Sequence, residues 1–147
     1  MAEWPKLTPL QQKEILDELT ALVLESLPAD WEYLELEHHH VGAHLHLRVG
    51  LRVAGGGTRE WNPPEEVWYL FQDLRGGMYA EGQGTWFSAY YRLELPGKHS
   101  ISYEWEREPA FPSPPSLEAF ALDLERFPRE PDYVPDWFPP AVERPKS

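Results

Sequence analysis

As the chain passes Pro28, the spacing of its apolar residues changes from three and four to two, and it alternates between these periods again further on. A helix and a strand cannot share one period, so this order of spacings dictates the order of elements. Before Pro28, Ile15, Leu16, Leu19, Leu22, Val23 and Leu27 line one face of a helix. Thr8-Pro9-Leu10-Gln11 marks its start with a hydroxyl cap, a proline where a missing N–H costs nothing, and a glutamine placed to close a capping box. From Trp31 to Val53 the period is two. Leu45, Leu47, Val49, Leu51 and Val53 fall on one side, with His44, His46, Arg48 and Arg52 on the other. A two-residue turn at Val41-Gly42 sets Leu36 opposite Leu47 and Leu34 opposite Val49 inside. The same turn sets Glu35 opposite Arg48, Glu37 opposite His46 and His39 opposite His44 outside.

Asn62-Pro63-Pro64-Glu65 repeats the helix-start chemistry, Val67, Leu70, Phe71 and Leu74 form an apolar stripe, and Gly76-Gly77 offers a left-handed stop. Thr85 to Leu95 alternates with Phe87, Ala89, Tyr91, Leu93 and Leu95 on one side, and Ser100 to Arg107 with Ile101, Tyr103 and Trp105. Pro96-Gly97 between them suits a type II turn or a longer loop. Leu117, Phe120, Ala121, Leu124 and Phe127 mark a last helix capped by Ser116. Tyr133, Val134, Trp137 and Phe138 then pin an extended segment onto the body.

The expectation is one α+β domain over residues 1–147: an antiparallel sheet of about four strands from two hairpins, packed with an N-terminal helix, a middle helix and a short C-terminal helix. A domain of this length buries roughly 68 to 70% of the surface of its unfolded chain, enough for one well-formed core. Pro139-Pro140 and Pro145 join neither a helix nor an inner strand, so residues 139–147 are expected to fray.

The chain has 13 Lys and Arg against 25 Asp and Glu, a net charge of −12 that repels phosphate backbones and argues against direct nucleic-acid binding. A basic partner is favoured, although the same charge also serves solubility. Nine of the acids but only three of the bases lie between Ser102 and Asp136, so half of the imbalance sits there. With no cysteine there is no disulfide framework, thiol nucleophile or thiolate metal site. Met1 to Pro5 has neither a basic nor an apolar leader region and no run is long enough for a bilayer, so the expected address is cytoplasmic, with no membrane partner.

Five histidines, at 38, 39, 40, 44 and 46, crowd the first hairpin. His39, His44 and His46, faced by Glu37, could supply metal ligands; the plainer reading is an exposed polar sheet face of cross-strand pairs. Paired carboxylates such as Glu65 with Glu66 and Glu104 with Glu106 lack the desolvated pocket that acid–base catalysis needs. There is no nucleophile elbow, and Gly55-Gly56-Gly57 lacks the Lys-Ser/Thr ending of a phosphate loop. The reading is a non-enzyme without catalytic residues or a cofactor. Ser100, Ser102, Glu104, Glu106 and Glu108 share a strand face, which suits either an edge charged against aggregation or a row that recognises cations.

Several motifs follow in order from about Pro63: Leu70-Phe71-x-x-Leu74 running to Met78-Tyr79, Gly84-x-Trp86, Gly97-Lys98 at a turn, and an aromatic-acidic return strand. Asp123-Leu124-x-x-Phe127-Pro128-Arg129 and Val134-Pro135-x-Trp137 close the series. Together they resemble the YezG-like family of bacterial immunity proteins, small cytoplasmic domains encoded beside secreted polymorphic toxins. The resemblance implies an α+β domain that binds the toxic domain of a cognate partner, often a nuclease, and occludes its active site without catalysis. The His-rich hairpin has no counterpart in that pattern, and the alternative is a small metal-binding protein or enzyme built on it. The expected partner-binding set is Trp86 and Tyr90 as aromatic anchors, with Glu104, Glu106, Glu108, Asp132 and Asp136 as the charged contributors. Trp86 equally suits a second buried sheet face under a helix. A monomer is expected before complex formation, because the edge glutamates oppose strand pairing across a two-fold axis.

Overall fold

A computed structural model describes residues 4–142. The capping box is present: Thr8 accepts the Gln11 N–H, Gln11 returns a bond to the Thr8 N–H, and helix α1 runs Pro9–Ser26. Strands β1 (Trp31–Val41) and β2 (His44–Val53) form the first hairpin, followed by helix α2 (Glu65–Gly77). Strands β3 (Ser88–Glu94) and β4 (Lys98–Glu104), helix α3 (Leu117–Arg126) and a 3-10 turn at Pro131–Tyr133 complete the order. One antiparallel sheet joins the four strands in the order β2-β1-β3-β4. The expected α+β architecture is therefore present, with β1 and β3 central and β2 and β4 at the edges.

Helices α1 and α2 cover one sheet face. Leu19 and Val23 of α1 and Phe71 and Leu74 of α2 meet Leu34, Leu36, Leu51, Tyr91 and Leu93 of the sheet in the main core. Each fully buried side chain of this size contributes roughly 1.5–3 kcal/mol. The hydroxyls of Thr20 and Tyr91 lie 2.6 Å apart and tie α1 to the central strand. A second cluster of Val41, Phe87, Phe120, Phe138 and Val142 holds α3 and the C-terminal segment at one end of the sheet. Val142 is buried there, so ordered packing reaches past the point at which fraying was expected to begin; residues 143–147 of that expectation lie outside the described residues.

The first hairpin turns one residue later than expected, which shifts every cross-strand partner by two. Its pairs are Leu34 with Leu51, Leu36 with Val49, Glu37 with Arg48, His39 with His46 and Val41 with His44, so the turn is Gly42-Ala43. A slip of two keeps every side chain on its own face, so alternation alone cannot decide between the registers. Gly42 decides it, because its φ of 59° and its close approach to the Ala119 carbonyl leave no room for a side chain.

The start of α2 also differs. Asn62 and Pro63 each precede a proline, which disfavours helical backbone, and the cap is Pro64 without a side-chain bond. Gly76 and Gly77 end the helix without left-handed backbone; they are small because the Trp4 ring and Leu7 occupy the space where their side chains would stand. The second hairpin uses the longer of the two expected connections, Leu95 to Gly97 between the paired Glu94 and Lys98. Strand β3 begins at Ser88 and not Thr85, and β4 ends at Glu104 and not Arg107. Helix α3 has the Ser116 cap but a rotated face: Leu117 is 51% exposed and Ala121 is exposed, while Ala119, Phe120 and Asp123 point inward.

Candidate functional site

Asp123 faces inward because α2 presents a buried cation to it. The two carboxylate oxygens have different surroundings: Oδ1 lies 2.8 Å from Arg75 Nη1 and accepts the Gly42 N–H at 2.9 Å, whereas Oδ2 has no hydrogen-bond partner among the described residues. Both charges of this pair are buried. Arg75 Nε donates to the Trp86 carbonyl, and the Thr85 hydroxyl donates to the Arg75 carbonyl. A second buried guanidinium, Arg129, donates to the carbonyls of Gln83, Tyr133 and Thr85. Burial, against the pull of Asp123, pushes its pKa down to about 10. The guanidinium carbons of Arg75 and Arg129 stand 5.7 and 4.5 Å from the Phe87 ring centroid. Gly84 has a φ of 89°, and a side chain there would collide with the Arg129 guanidinium. This network fixes the hairpin turn, α2, the approach to β3, α3 and the C-terminal segment to one another.

That anchoring frames a cleft of about 520 Å³ between the end of β4 and the C-terminal segment, within the size range of ligand pockets. Its walls carry Trp105, Tyr133 and Trp137 together with Glu106, Asp132 and Asp136. Trp137 is held by its indole N–H, which donates to the Glu106 carbonyl at 2.7 Å, and by its edge contact with Phe87. Tyr133 is 45% exposed. Arg129 also reaches the cleft wall, but its head is committed to backbone carbonyls and the residue is only 4% exposed. Among the described residues, Glu106, Glu108, Asp132 and Asp136 have no ion pair.

The seven expected contact residues therefore separate. Glu106, Asp132 and Asp136 meet at the cleft, and Glu108 is exposed on the chain just beyond β4. Glu104 serves its own backbone: Oε2 accepts the N–H groups of Glu106 and Arg107, which curls the chain at the end of β4 and holds the carboxyl below its usual range. Tyr90 is 37% exposed on the sheet face away from α1 and α2, beside His39. Trp86 is not a surface anchor. It is 0% exposed in the main core against His38 and Tyr103, because the backbone before Ser88 has left the strand and its alternation no longer holds.

His39, His44 and His46 do not converge on one point either. His39 is buried, with Nδ1 2.7 Å from the Ser88 hydroxyl and Nε2 3.5 Å from Glu37. It faces His46, not His44, across the strands. His44 must carry its proton on Nε2 to reach the Ser113 carbonyl, which removes that nitrogen as a ligand. Among the described residues no three His, Asp or Glu side chains are placed to hold a metal ion together. His38 and His40 point into the interior, where burial drives both pKa values well below 6.5. His40 Nε2 donates to the Gly42 carbonyl, and His38 stacks on Phe71.

Arg75 and Asp123 went unmarked by periodicity, although each stands on the inward face of its helix: Arg75 four residues after Phe71, and Asp123 four after Ala119 and four before Phe127. Two opposite charges inside two apolar stripes are the signal that could have found them. No helix among the described residues is long and apolar enough to cross a membrane. Compared with known protein families and with curated proteins, the chain matches none of them.

Proposed function

We propose that this protein is an immunity protein: it binds a cognate secreted toxin domain of basic surface, such as a nuclease, and neutralises it by occluding its active site. The reading is supported most directly by the cleft, whose walls combine three acidic residues that have no ion pair among the described residues with three aromatic ones. Aromatic anchors inside a charged rim are what tight protein interfaces use, and the excess negative charge would speed encounter with a basic domain. The motifs that resemble the YezG-like family agree with it. Asp123, Arg129 and Gly84, which belong to those motifs, build the network under the cleft and serve the fold; the contact surface is carried by the residues above them.

The test is co-expression with the toxin domain encoded beside this chain, followed by titration of the purified pair. Rescue of growth and a one-to-one complex whose association slows as salt rises are expected. Failure to form a complex at about micromolar concentration removes the proposal.

A further inference from the structure

We infer that the cleft between the end of β4 and the C-terminal segment is a socket for an arginine side chain presented by the protein partner. The inference rests on the inhibitory reading for the identity of that partner and specifies how it is gripped. Three observations choose the occupant. First, the charge of the walls is uncompensated among the described residues: Glu106, Asp132 and Asp136 contribute three carboxylates, and the guanidinium of Arg129 in the wall already serves three backbone carbonyls. An anion would be repelled and a cation attracted.

Second, the remaining walls are aromatic. Trp105, Tyr133 and Trp137 line a space of about 520 Å³, and a cation over an aromatic ring is held by the ring's quadrupole. A guanidinium suits such walls better than an ammonium, because it is flat, weakly hydrated and able to bond a carboxylate through two parallel N–H groups. Third, the cleft is braced before anything binds. Trp137 is fixed by its bond to the Glu106 carbonyl and by Phe87, and the backbone carrying Tyr133 is held by Arg129, so little side-chain order is lost on binding. On the sheet face, by contrast, Tyr90 stands beside His39, with Glu37 engaged by Arg48.

The experiment uses the full chain labelled with nitrogen-15 and two probes, a blocked Gly-Arg-Gly peptide and its Gly-Gln-Gly counterpart, followed through the indole N–H signals of the seven tryptophans. The Arg peptide should shift Trp105 and Trp137 saturably and leave the other five in place, and the Gln peptide should shift none. Asp132→Asn with Asp136→Asn, or Glu106→Gln alone, should weaken Arg-peptide binding, the double variant by about tenfold. Neither aspartate makes a hydrogen bond or ion pair among the described residues, so the double variant keeps its fold. A shift spread over all tryptophans, an equal response to the Gln peptide, an equal or stronger response to a Gly-Lys-Gly peptide, or unchanged binding in the double variant would each overturn the socket. With the toxin domain as ligand the two claims separate. A complex of undiminished affinity in the double variant sinks the socket and leaves the inhibition standing, whereas an Arg peptide seated in the cleft with no toxin complex does the reverse.

Discussion

The first hairpin and the C-terminal layer handle their charges in opposite ways. On the hairpin's outer face the carboxylates find company at home: Glu37 lies 2.6 Å from Arg48, and Glu35 accepts the Tyr33 hydroxyl and lies 3.8 Å from Arg92. Around the C-terminal layer, Arg75 of α2 and Arg129 are drawn inside, to Asp123 and to backbone carbonyls, and Glu106, Asp132 and Asp136 are left outside without them. Net charge alone says nothing of this division. Burial of the arginines leaves the surface above them acidic, and so turns a charge excess into a local feature that a cation can recognise.

The sharpest way to break that contrast is to remove the interior anion. Asp123→Ala would strand Arg75 and the Gly42 N–H in the core, and a loss of about 3–5 kcal/mol in urea unfolding is expected. A loss below about 1 kcal/mol would mean that the network does not hold the two regions together. Replacing both charges, as in Arg75→Met with Asp123→Leu, should recover part of the loss, because no buried charge is then left unpaired.

The hairpin's interior is probed by pH. His38 and His40 are held neutral by burial; the neighbouring His40, then Arg75 and His39, oppose a charge on His38, and Arg75 and Arg126 oppose one on His40, against the bond to the Gly42 carbonyl. Their pKa values are depressed below 6.5, so as pH falls through that value the unfolded chain takes up protons that the folded chain does not. Stability is then fully present above 6.5 and falls with decreasing pH, by up to about 1.4 kcal/mol per pH unit for each histidine. Unfolding followed from about pH 7.5 to pH 5 should show this slope, and His38→Phe should reduce it. A slope unchanged by that substitution would assign the acid sensitivity to other groups.

The smallest effects lie at the surface and sharpen the contrast most directly. Glu37→Gln breaks the exposed pair with Arg48 and should cost under about 1 kcal/mol. Asp132→Asn and Asp136→Asn break no pair among the described residues and should leave stability within about 0.5 kcal/mol of the parent. Thermal unfolding of the three variants compares the faces, and a larger loss at Asp132 or Asp136 would show that these carboxylates support the fold.

Much of the architecture was legible. The Thr8 to Gln11 cap, the stripes of α1 and α2, the Ser116 cap and the two alternating hairpins follow from residue spacing, and each is present. Less of the site was legible. Glu106, Asp132 and Asp136 were found as an acidic segment, but their meeting at one cleft depends on the path of the chain after α3. Alternation extended back to Thr85 misplaces Trp86, because the three residues before Ser88 lie outside the strand, in backbone that Arg75 holds by the Trp86 carbonyl. Alternation cannot fix the hairpin register, because a shift of two buries the same side chains.

Residue spacing by itself determined where helices and strands form and which of their faces are apolar, since period and capping are set by neighbours within one turn or one pleat. Tertiary structure alone decided which charges are buried, which are paired and which face a common cleft. Gly42 meets Asp123 across 81 positions and Arg129 meets Thr85 across 44, and no local pattern encodes an encounter between groups so distant along the chain.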